Sequence, residues 1–144
     1  MFTVTESVEV ARGAASVFEF LTDPARRAEW DRSVVSERLL SPPPVQTGSA
    51  IRTRMSILGR DAEYDWRVTV FEPPAAMALV STSGMMPTRL RFDIADTADG
   101  SRVTATIEGS PEGMLRLAEP IISETVRSTF SESLQRAKAL LEAG

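Results

Sequence analysis

The chain has 144 residues, 16 Lys and Arg against 20 Asp and Glu, a net charge of −4, and neither His nor Cys. That excludes a Ser-His-Asp triad, a cysteine nucleophile, a zinc finger and the usual haem or iron–sulfur ligation, and no metal or other cofactor is expected. Carboxylates, hydroxyls, Lys/Arg and the single tyrosine remain for acid–base chemistry.

The length suits one domain, residues 1–144, able to bury its own core without a metal or disulfide staple. An acidic chain with scattered arginines is a poor partner for nucleic acid. No apolar run reaches the ~20 residues of a transmembrane segment. The opening MFTVTESVEV alternates and does not read as a secretory core. A cytoplasmic protein is the expectation.

Phe2 to Val10 alternates, with Phe2, Val4, Val8 and Val10 on one side and Thr3, Thr5, Ser7 and Glu9 on the other. This is a half-buried strand. Glu6 falls on the apolar side, either as a solvated strand end or as a polar anchor in a cavity. Val17, Phe18 and Leu21 then follow helical spacing. Asp23 is placed to cap a second short helix that opens on Pro24 and ends near Trp30.

Ser33 to Leu40 reads as a strand, and SPPPVQTG as a loop. Ser49–Leu58 and Arg60–Glu72 alternate as a hairpin. A two-residue turn at Leu58-Gly59 sets Arg52 opposite Asp65 and Arg54 opposite Glu63. Shifting the turn by one residue would set Arg52 against Arg67, so cross-strand charge selects the first register. That register puts Thr53 beside Tyr64 and Ile51 beside Trp66 on the apolar face.

Ala76–Thr82 forms the next strand, and STSGMMP a loop. Thr88–Thr97 and Ser101–Gly109 make a second hairpin. A turn at Asp99-Gly100 would pair Phe92 with Ile107 and Arg91 with Glu108. From Ser110, a plausible N-cap before Pro111, the period becomes helical. One apolar stripe runs from Leu115 to Leu141, widened at its start by Met114, Leu117 and Ile121, and Pro120 should kink or break it.

The order is therefore strand, two short helices, an antiparallel run and one long helix. This is an α+β fold, a curved antiparallel sheet covered on its apolar face by one long C-terminal helix. A bent sheet and a straight helix cannot touch everywhere, and the gap is a natural cavity. Three stretches carry a resemblance: SVEVARGAASVFEFLTDPARRAEWDRSV, VTVFEPPAAMALVSTSG and GMLRLAEPIISETVRSTFSESLQRAKALLEA. Over almost its whole length the chain resembles the START-like (SRPBCC) superfamily, and within it the polyketide cyclase/dehydrase-like proteins, which implies a helix-grip fold, the sheet wrapped around that helix.

The resemblance implies a deep, mainly apolar pocket between sheet and C-terminal helix. Alternation and helical spacing give a compatible lining of Thr53, Met55, Tyr64, Trp66, Phe92, Met114, Leu117 and Ile121, with Trp30, Met85 and Met86 near the mouth. Tyr64 is the candidate catalytic group, since a phenol on the inward face can bond a ligand carbonyl or donate a proton. Two functions follow. One is binding of a lipid-like, aromatic or polyketide-like small molecule. The other is a polyketide cyclase or dehydratase in the same cavity, a weaker reading because the alternation offers no inward arginine. The oligomeric state stays open, a homodimer included.

Overall fold

In a computed structural model describing residues 1–144, the chain enters through β1 (Phe2–Val10), α1 (Ala14–Thr22), a 3-10 turn (Pro24–Arg26) and α2 (Arg27–Trp30). Six strands follow: β2 (Val34–Leu39), β3 (Ala50–Ile57), β4 (Arg60–Glu72), β5 (Ala76–Ser83), β6 (Thr88–Thr97) and β7 (Gly100–Gly109). A 3-10 segment (Gly113–Ala118) then leads into α3 (Glu119–Ala143). The strands form one antiparallel sheet in the order β1-β7-β6-β5-β4-β3-β2. It curls into a half-barrel around α3, the helix-grip architecture.

Local chemistry accounts for the entry segment. Asp23 stops α1 because Pro24 bars it from helical backbone angles, and its Oδ1 accepts from the Ala25 amide at 2.9 Å. The β3–β4 hairpin turns at Leu58-Gly59, with Ile51 opposite Trp66, Arg52 opposite Asp65, Thr53 opposite Tyr64 and Arg54 opposite Glu63. Cross-strand charge was a sufficient guide there.

The β6–β7 hairpin differs from expectation by two residues. Thr97 pairs with Gly100, so Ala98-Asp99 is the turn, and Phe92 faces Ala105 while Leu90 faces Ile107. Gly100 is a strand residue pressed against the end of β1. A Cβ there would lie 2.1 Å from the Val10 carbonyl oxygen, so close approach explains the glycine. The shift is even, which leaves every side chain on its expected face, and Arg89 replaces Arg91 opposite Glu108.

The last helix is shorter than its apolar stripe. Residues Gly113–Ala118 form 3-10 turns and the α-helix starts only at Glu119. Pro120 lacks an amide hydrogen and sits without penalty in the first turn, so it marks the start of α3 instead of a kink. Ser110 does not cap it; its amide donates to the Pro87 carbonyl at 2.9 Å. Helix α3 buries Ile122, Phe130, Leu134 and Ala137, and it meets the sheet mainly through β1. The middle strands curve away from it, and a space remains between them.

Candidate functional site

That space is a cavity of about 90 Å³ open to the centre of a water molecule. That is well above the roughly 10–15 Å³ a cavity needs to hold one water. Its apolar wall comes from inward positions of the sheet, among them Met55, Trp66, Leu79, Leu90 and Ile107. Ile122, Val126 and Phe130 of α3 close the other side. Tyr64 is buried in the wall, its ring stacked on Trp66 at 5.1 Å and its Oη 3.3 Å from Thr88 Oγ1. Gly84 makes that position possible, since a Cβ there would sit 2.5 Å from the Tyr64 ring.

One end of the cavity is polar. Arg27 of α2 is only 7% exposed and lies against Asp31, its Nε and Nη2 at 2.8 and 2.7 Å from Oδ2. The other Asp31 oxygen accepts from the Ser33 amide at 3.0 Å and the Ser33 hydroxyl at 2.7 Å. The guanidinium stacks over Trp30 at 4.7 Å and over Phe92 at 5.5 Å. Glu37 of β2 reaches the same wall and accepts from Thr53 Oγ1 at 2.7 Å.

Electrostatics ties this group together. Burial pushes the Glu37 carboxyl above its usual range, opposed by the Arg27 charge and the Thr53 hydroxyl and reinforced by Asp31. Burial alone would pull Arg27 down, but the charges of Asp31 and Glu37 and the bond to Asp31 outweigh it and hold the guanidinium above its usual value. Arg27 therefore stays charged.

Of the residues expected to form the site, Thr53, Met55, Tyr64, Trp66 and Met86 line the cavity. Trp30 and Phe92 are buried against each other, rings edge to face at 6.0 Å, just behind the lining. Met85 packs against the core outside the cavity. Met114, Leu117 and Ile121 face outward instead, at 85%, 84% and 62% exposed. The stripe itself, Leu115, Ala118 and Ile122, does pack against the core, and the three residues expected to widen it fall on its solvent side. Glu6 is half-buried opposite Ala105 and does not line the cavity.

Sequence reasoning missed Arg27, Asp31 and Glu37. For the first two a signal existed, since they are spaced i, i+4 on a short helix whose aromatic end must pack inward. Glu37 was hidden by a bulge between Val34 and Ser36 that reverses the inward phase of β2 and brings Glu37 opposite Thr53. The expectation of no inward arginine is corrected by Arg27, which comes from a helix and lies outside any strand alternation.

No helix is long and apolar enough to cross a membrane. Residues 1–142 match the family model described as polyketide cyclase / dehydrase and lipid transport. The chain is similar to an uncharacterized protein of Mycobacterium tuberculosis, 31% identical over 115 residues, 78% of this chain and 50% of that one. The chain thus spans about half the length of that relative. Among solved structures it resembles a START superfamily protein from Mycobacterium smegmatis, with a TM-score of 0.84 at 14% identity over 98% of this chain and 97% of that one. A Thermus thermophilus protein matches with a TM-score of 0.85 at 12% identity, over 99% and 98% of the two chains. At such identities these structures speak to the fold alone.

Proposed function

The chain belongs to the polyketide cyclase / dehydrase and lipid transport family, and from that premise we propose that it binds a hydrophobic small molecule between sheet and α3. The observation that carries this reading is a mostly apolar cavity with one polar end, enclosed between the sheet and Ile122, Val126 and Phe130 of α3. The occupant is a compact aromatic, lipid-like or polyketide-like molecule, and the reading includes a cytoplasmic location. Nile red fluorescence tests it. Saturable binding is expected, weakened at least tenfold by Val126→Phe, which fills the cavity, in a variant whose circular dichroism shows it folded. Met114→Ser/Leu117→Ser, on the exposed patch, should leave binding unchanged. Binding that survives the first change and disappears with the second would place the dye on the surface and defeat the proposal.

A second reading is a cyclase or dehydratase on a poly-keto substrate in the same cavity. It is favoured by Arg27 and Glu37 at the polar end, a fixed cation beside a carboxyl group held above its usual range. Tyr64, whose hydroxyl already has Thr88 as a neighbour, serves here as wall and substrate contact. Conversion of a synthetic poly-keto thioester to a cyclised product, lost in Glu37→Gln, supports it. No conversion leaves binding as the function.

A further inference from the structure

The polar end of the cavity has a specific pattern of used and unused hydrogen-bonding groups. Both Asp31 oxygens are taken, one by Arg27 and one by Ser33. Glu37 Oε2 is taken by Thr53. Arg27 Nη1 and Glu37 Oε1 have no partner in the protein, yet the one fully enclosed side-chain polar atom lacking a partner is Trp30 Nε1. Arg27 Nη1 and Glu37 Oε1 are therefore not sealed in protein. Both residues line the cavity. One offers a hydrogen and the other a lone pair.

The charge at this wall adds a second constraint. One guanidinium stands against two carboxyl groups, and Asp31 alone already balances Arg27. Whatever the protonation of Glu37, no net positive charge remains for an anion. A carboxylate head would accept from Arg27 but would bring another negative charge into a buried site that has no net positive charge to meet it. An ammonium head would donate to Glu37 and leave the Arg27 hydrogen unmet. A hydroxyl does both at once.

Resting on the reading of this cavity as an apolar ligand site, we propose that Arg27 and Glu37 form a receptor for the hydroxyl of a neutral ligand, a phenol or alcohol, with its apolar body against Trp66, Leu90 and Val126. The hydroxyl donates to Glu37 Oε1 and accepts from Arg27 Nη1. Thr53 and Ser33 act on the ligand only indirectly, by holding Glu37 and Asp31.

Four probes with the same ring system separate the cases: naphthalene, 2-naphthol, 2-naphthoate and 2-naphthylmethylammonium, each competing with Nile red at pH 7. The expected order places 2-naphthol about tenfold tighter than naphthalene, as a bond to a charged partner allows, and both ions weaker than 2-naphthol by at least that factor. In Glu37→Met the ratio of 2-naphthol to naphthalene affinity should fall to near one, and naphthalene binding itself reports that the variant is folded. Naphthoate or the ammonium binding as tightly as 2-naphthol would overturn the proposal, as would an unchanged ratio in Glu37→Met. If naphthalene binds and 2-naphthol gains nothing, the receptor fails while the apolar cavity stands. If none of the four binds, both fail.

Discussion

Arg27 and Arg52 each sit against an aspartate, at 2.7 and 2.8 Å, but in opposite surroundings. Arg52 lies on the outer face of the β3–β4 hairpin, a third exposed, holding Asp65 through two parallel bonds. Arg27 is enclosed by Asp31, Trp30 and Phe92 at the cavity wall. Water screens the outer pair and leaves little net energy in it. The inner pair has given up its hydration, so each partner depends on the other. The two neighbouring carboxyl groups show the same contrast. The hydrogen bond from Arg52 draws Asp65 below its usual range, whereas burial drives Glu37 above its own despite Arg27 nearby. Burial, more than the presence of an arginine, decides what a carboxylate does here.

The sharpest way to break the comparison is Arg27→Ala, which strands Asp31 in the interior. A loss of about 3–5 kcal/mol in urea unfolding is expected. The double change Arg27→Met/Asp31→Leu should recover much of it, short of the two bonds from Ser33 that Asp31 accepts. A loss below about 1 kcal/mol for the single change would mean that water reaches the pair.

The next effect is one of sign. A carboxyl group raised in the folded state holds its proton to higher pH than in the unfolded chain. Its contribution to stability is therefore fully present below its ordinary value of 4.5 and declines as pH rises through the raised one. Asp65, lowered from 3.8, contributes the opposite way: its stabilisation is present above that value and lost as pH falls. Subtracting the unfolding free energy of Glu37→Gln from that of the native chain, measured from pH 4 to 8, should give a difference that declines with rising pH. A flat or rising difference would contradict the burial of Glu37. The smallest effect belongs to the outer pair: Arg52→Ala should shift the urea midpoint by a small fraction of the Arg27→Ala shift, and less still in high salt.

The outer pair was legible in the sequence because strand alternation and cross-strand charge are local rules. Arg52, Asp65 and the Leu58-Gly59 turn obey them. The same rules put Tyr64 and Trp66 inside. The inner cluster required knowing which way α2 faces and where β2 bulges, and both depend on packing between distant segments. The β6–β7 turn was misjudged for a related reason, since the glycine that suggested it answers to Val10, ninety residues earlier. Met114, Leu117 and Ile121 were expected in the lining because apolar residues beside the stripe of Leu115, Ala118 and Ile122 read as a widening of it, whereas only that stripe turns to the core.

The central claim is that the hollow beneath the N-terminal half of α3 accepts an apolar molecule. Methyl-resolved NMR during a naphthalene titration tests it most directly. The account predicts progressive, saturating shifts for Leu90, Ile107, Ile122 and Val126, which line the cavity, while Met114 and Leu117 on the exposed patch stay still. Shifts confined to Met114 and Leu117, with the cavity methyls unmoved, would contradict it.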